Sequence, residues 1–94
     1  MKRKREWIQW LTEGADLPGE PNPGQPLVEI AGDKRVLIEN HRGVIQYGRE
    51  KICVQVKYGQ IAVFGCGLEL ARMTREQLVI CGNIEGVTLI RRGK

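Results

Sequence analysis

A strand-glycine-strand pattern constrains this chain more than any other feature. Val28-Glu29-Ile30-Ala31-Gly32 leads into Val36-Leu37-Ile38, Ile61-Ala62-Val63-Phe64-Gly65 into Leu68-Glu69-Leu70, and Leu78-Val79-Ile80-Cys81-Gly82 into Val87-Thr88-Leu89. In each copy apolar side chains two apart fall on one face of a pleated strand. Each then meets a glycine, which takes up positive φ at little cost and so allows the chain to reverse. The pattern specifies an all-β scaffold and carries no chemistry.

The strands expected from it and from the turn residues between are about 27–31, 35–39, 44–47, 51–57, 61–64, 68–72, 78–81 and 84–91, eight short antiparallel elements. Within 51–57, Ile52, Val54 and Val56 alternate with Cys53, Gln55 and Lys57, the pattern of a half-buried strand. Tyr58-Gly59-Gln60 reads as the loop of a hairpin, and Gly65-Cys66-Gly67 as another hairpin turn. Thr74-Arg75-Glu76-Gln77 has the spacing of a capping box, but the β-branched run behind it limits any helix there to one turn. Leu27–Ile30, Ile61–Phe64 and Leu78–Cys81 are apolar on both faces. A single open sheet would leave one of those faces wet, so either the sheet folds over on itself or its second face meets a partner. A sandwich, a small barrel or a stack of hairpins would each satisfy this.

Ahead of the β body lie two segments of different character. In residues 1–15, Lys2-Arg3-Lys4-Arg5 precede Trp7, Ile8, Trp10 and Leu11, an apolar stripe with the spacing of a short amphipathic helix that Gly14 ends. So short a helix is marginal in water, so its stripe must dock on its own β domain, on another protein or on a membrane surface. Residues 16–26 hold all four prolines and form a linker. The β domain is 27–94.

Charge is distributed to match. Residues 1–26 carry four basic and four acidic groups (4 − 4 = 0), and residues 27–94 carry eleven basic and seven acidic (11 − 7 = +4). Scattered basic charge permits contact with nucleic acid or anionic lipid without requiring either. Cys53, Cys66 and Cys81 form no Cys-x-x-Cys pair, no apolar run has signal-peptide or membrane-spanning length, and the expectation is a cytoplasmic protein with free thiols. Small β domains with unpaired edges gain burial by association, so a homo-oligomer is expected.

Glu39-Asn40-His41-Arg42-Gly43 is the most polar stretch of the body and holds the only histidine. Arg42 could pair a carboxylate or phosphate there, while Asn40 and Gly43 are ordinary turn residues. Catalysis would need His41 set against a nucleophile, and the chain contains no serine. One histidine and three dispersed cysteines do not make a metal site. No catalytic, cofactor-binding or metal-ligating residue is assigned. The candidate interaction residues are Trp7, Ile8, Trp10, Leu11, Asn40, His41, Arg42 and Gly43.

Ile38-Glu39-Asn40-His41-Arg42-Gly43-Val44, with the strand-turn-strand at Gly32 before it, resembles the YabP/YqfC family of sporulation proteins, in its YqfC branch. The likeness extends over the chain, through the basic Trp-containing start, Asp16-Leu17-Pro18 and Gly82-x-Ile84-x-x-Val87. It implies a small protein of spore-forming Firmicutes, acting in the mother cell during engulfment or coat assembly, in its cytoplasm or peripherally at the forespore membrane. Its role there would be that of a non-enzymatic structural or assembly factor. It implies protein partners, a membrane-associated sporulation protein among them, and no catalytic residue. A basic β-barrel that binds nucleic acid is the competing reading, motivated by a pI of about 9.2. Against it stands a body with only Tyr47, Tyr58 and Phe64 as stacking platforms.

Overall fold

The computed structural model describes residues 24–92. They form six antiparallel strands in one sheet: β1 (Leu27–Ala31), β2 (Arg35–Glu39), β3 (Val44–Tyr47), β4 (Lys51–Val56), β5 (Gly59–Met73) and β6 (Gln77–Arg91). Their order across the sheet is β1-β2-β6-β5-β4-β3. The expected amphipathic helix at 1–15 and the linker at 16–26 lie outside the described residues, apart from Gly24, Gln25 and Pro26.

All-β architecture is as the alternation predicts, but the strand count is six rather than eight. The segments 61–64 and 68–72 are one strand, as are 78–81 and 84–91. Gly65 and Gly82 do not reverse the chain, and Gly65-Cys66-Gly67 is not a hairpin turn. The β5–β6 ladder runs through it, with Gly65 opposite Ile84 and Cys66 opposite Asn83. Register shifts between Phe64 and Gly65, Cys66 and Glu69, and Leu70 and Arg72 mark bulges, which bend a strand without ending it. Of the three glycines in the recurring pattern only Gly32, at φ 60°, sits in a true turn. At Gly65 the demand is space rather than reversal, because a Cβ there would meet the Asn83 carbonyl oxygen at 1.9 Å.

Thr74–Gln77 turns between the two long strands without helix. The Thr74 amide donates to the Gln77 carbonyl at 2.7 Å, and the Gln77 amide donates to Thr74 Oγ1 at 3.0 Å. The capping-box spacing thus serves a hairpin, since a side-chain oxygen accepting the amide three residues on suits either structure. The β4–β5 hairpin falls where expected, with Lys57 and Tyr58 between the paired Val56 and Gly59.

Ten large apolar side chains are completely buried: Val36 and Ile38 on β2, Ile52, Val54 and Val56 on β4, Ile61, Val63 and Leu68 on β5, Leu78 and Ile80 on β6. They make one contiguous cluster, although β2 and β4 are separated in the sheet by two strands. A single flat sheet has nothing to cover such a face, so the sheet folds over on itself and its two arms face each other. Burial of each side chain contributes roughly 1.5–3 kcal/mol relative to leaving it exposed. The bend lies at the glycines of β5 and β6 and is held from both sides. The Gly82 and Ile84 amides donate to the Lys34 and Asp33 carbonyls of the β1–β2 turn, at 3.1 and 2.7 Å. The Gly65 and Leu68 amides donate to the Glu50 and Arg49 carbonyls of the β3–β4 turn, at 3.1 and 2.9 Å.

Candidate interaction surface

The polar stretch singled out in the sequence is where the chain crosses from one arm of the folded sheet to the other. β2 ends beside β6, and β3 begins at the far edge beside β4. Asn40 takes φ 64°, a left-handed conformation that Asn tolerates better than most residues. Its amide donates to the Glu76 carbonyl at 2.6 Å, and its Nδ2 donates to the Gln25 carbonyl ahead of β1 at 2.8 Å. His41 is 9% exposed. Its Nδ1 accepts from the Gly43 amide at 3.0 Å, leaving Nε2–H to donate to the Thr74 carbonyl at 2.8 Å, so both bonds require one neutral tautomer. The Arg42 amide donates to the Gln55 carbonyl at 2.7 Å, and the Gln55 amide donates to the Gly43 carbonyl at 2.8 Å. Gly43, at φ 118°, completes the corner.

The structure thus brings Asn40, His41, Arg42 and Gly43 together. Asn40 and His41 bond to the β5–β6 turn and the segment ahead of β1, and the backbone of Arg42 and Gly43 bonds to β4, so the four residues together tie the arms to each other. Arg42 is exposed. Beside the corner a cleft of about 450 Å³ is lined by Glu39, Asn40, Arg72, Thr74, Glu76 and Gln77. Gln77 Nε2 donates to Glu39 Oε2 within it at 3.0 Å. His41 spends both ring nitrogens on backbone groups, and the ionisable side chains lining the cleft are two carboxylates and a guanidinium. Trp7, Ile8, Trp10 and Leu11 lie outside the described residues.

On the far side of the bend a second cleft, about 370 Å³, is lined by Cys66, Cys81, Lys34, Arg35, Gly67, Gly82 and Asn83. Cys66 is exposed and its Sγ lies 3.7 Å from Glu85 Oε2. The negative charge of Glu85, followed by desolvation and the hydrogen bond to the same carboxylate, pushes the thiol above its ordinary range. That suppresses the thiolate, the opposite of what a reactive cysteine needs. Cys53 is buried as an apolar residue would be, and Cys81 is half-buried. Among the described residues no group of His, Cys, Asp and Glu could hold a metal ion, and no helix is long and apolar enough to cross a membrane.

What sequence reasoning missed is the second half of β6. The β2 ladder covers β6 from Gln77 to Cys81 and extends through the turn bonds to Ile84. Beyond that β6 pairs with β5 on one side, and no other described strand lies along its other edge. Val87 and Leu89 pair with Val63 and Ile61 and share their face, yet Leu89 is 57% exposed; Ile90 on the opposite face is 42% exposed. A mixed apolar run at 84–91 was visible in the sequence, but which edge stays uncovered depends on strand order. Other exposed apolar residues are Leu27, Ile30, Ile45, Tyr47, Phe64 and Met73, spread over three strands.

Comparison with known proteins agrees with the family resemblance. The uncharacterized protein YqfC of Bacillus subtilis (strain 168) is 25% identical over 89 residues, covering 95% of this chain and 96% of that protein. No solved structure matches the fold. The family model of the YabP family matches residues 23–94, the whole β body with the corner and the bend, and the chain belongs to that family.

Proposed function

We propose that this protein is a non-enzymatic assembly factor of spore formation, acting in the mother cell through protein–protein contact. The observation that carries the reading is membership of the YabP family across residues 23–94, joined to the sporulation role that the resemblance implies. Contact rather than catalysis is supported by where the polar residues go. The single histidine bonds to backbone, the charge of Glu85 raises the pKa of the exposed Cys66 thiol, and several large apolar side chains stand exposed on the described strands. The partners are this chain itself and a membrane-associated protein, with the cationic, Trp-bearing segment 1–15 at the membrane surface.

Deleting the gene in a spore-forming host tests the reading. Heat-resistant spore counts fall if it is right, and a normal count overturns it. Nucleic-acid binding would instead appear as retention on single-stranded DNA that weakens steeply with salt.

A further inference from the structure

Among the described residues no strand lies along the outer edge of the second half of β6, and its own sequence describes the neighbour it would take. From Gly86 to Arg91 it pairs with β5 in unbroken register, Phe64–Gly86 through Gly59–Arg91. It is therefore long and regular on its bonded side. The other strands with an outer edge are poorer templates. β1 has five residues and carries Glu29 at its centre, β3 has four residues and a bulge between Val44 and Gln46, and the second half of β5 is interrupted by register shifts at Cys66/Glu69 and Leu70/Arg72. Long, regular, apolar edges are the ones that recruit another strand, and natural proteins blunt them with bulges, charges or brevity. Between Glu85 and Arg91 this edge carries no charge.

We infer that two copies of this chain associate by antiparallel pairing of their β6 edges over residues 85–91. Charge order along the strand selects that partner and that direction. Glu85 stands at one end, Arg91 and Arg92 at the other, and Val87, Thr88, Leu89 and Ile90 between. Laid antiparallel to itself, the strand sets its acidic end beside the basic end of its mate, whereas a parallel arrangement would oppose like charges. With Thr88 opposite Thr88 of the second copy, Val87 faces Leu89 and Gly86 faces Ile90 across the junction. The most exposed apolar side chain of β6 is then covered by an apolar one. The arrangement is isologous, each copy giving and receiving the same contacts, so it closes at two. Arg91 and Arg92 stay available for it. Arg91 lies 5.3 Å from the centre of the Tyr58 ring and Arg92 donates to the Lys57 carbonyl at 3.4 Å, so neither of these contacts engages a carboxylate.

The inference stands apart from the sporulation reading, since it concerns the mass of the purified full-length chain. Light scattering across about 1 to 100 μM, the range where contacts of moderate area dissociate, gives twice the chain mass at the upper end. Leu89→Lys halves that mass, while its thermal unfolding at the lowest concentration matches the parent, because Leu89 is 57% exposed and outside the core cluster. Thr88→Cys in a Cys66→Ser background forms a disulfide-linked dimer on mild oxidation, because Cα atoms directly opposite in an antiparallel pair are about 4.5–5.5 Å apart, within disulfide range. The same background with Ile45→Cys on β3 does not. A chain that is monomeric throughout overturns the inference. So does a Leu89→Lys variant that keeps the parental mass, or crosslinking at Ile45 equal to that at Thr88. Slow amide exchange over 85–91 in a monomer would show that residues 1–23 of the same chain cover the edge, and would overturn it as well.

Discussion

β6 carries two leucines, Leu78 and Leu89, on one continuous strand, and they live in different surroundings. Leu78 is fully buried between β2 and β5; Leu89 is 57% exposed, with β5 on one side and no described strand on the other. Both side chains lie on the face shared with the core, Leu78 opposite Ile38 and Leu89 opposite Ile61. Residue type, strand and face are therefore equal. The difference is the number of neighbours that the strand order supplies, and the bend between them passes through Gly82. Burial here follows from topology and is not a property of the apolar pattern.

Truncating both leucines breaks or sharpens the comparison most. Leu78→Ala should cost about 2–5 kcal/mol of unfolding free energy, as other large-to-small core changes do. Leu89→Ala should stay within about 0.5 kcal/mol, the usual range for surface substitutions. Urea unfolding at low protein concentration measures the two, and equal losses would mean that the inner face is covered along its whole length. A smaller effect belongs to the joint. A Cβ on Gly82 would lie 2.7 Å from the Gly67 carbonyl oxygen, at φ 142°, whereas one on Gly86 meets nothing within 4 Å. Gly82→Ala should therefore cost on the order of 1–3 kcal/mol, strain of the kind stored in forced backbone, and Gly86→Ala should be neutral or stabilising. Smallest in energy is a chemical readout of the same joint. Because the charge of Glu85 raises the Cys66 pKa, alkylation of Cys66 should be slow at pH 8 and quicken as pH rises through the elevated value. Glu85→Gln removes the largest cause and should speed alkylation at pH 8; an unchanged rate would mean the two side chains are not neighbours.

Much of this architecture was legible in the residues. The alternation of Ile52, Val54 and Val56 placed all three in the core, and two-faced strands such as Ile61–Phe64 required a second layer, which the sheet supplies by folding. The Glu39–Gly43 string was read as a turn and an interaction site. Its bonds explain the composition: a left-handed residue at 40, a two-nitrogen ring at 41 and a positive-φ residue at 43. Strand number was not legible, because a glycine that bulges a strand and a glycine that ends one look alike until its partner is known. Nor was the open edge of β6. That edge depends on β2 pairing with the first half of β6 and stopping at its own five residues, a fact about two segments 42 positions apart at their starts, Arg35 and Gln77.

Strand order also sets an order of events in folding. Four of the five ladders join neighbours in sequence: β1–β2, β3–β4, β4–β5 and β5–β6. Each can form as a hairpin, with little chain to close. Only β2–β6, residues 35–39 against 77–81, brings distant parts of the chain together, and it bears the full loop-closure entropy. The β2–β6 ladder is therefore expected to form after the hairpins, and the crossover corner at Asn40 and His41 to set with it. Interactions made after the folding barrier slow unfolding rather than speed folding. A corner that sets with the last ladder is thus expected to act as a latch on the native state, governing how long the folded sheet persists once closed.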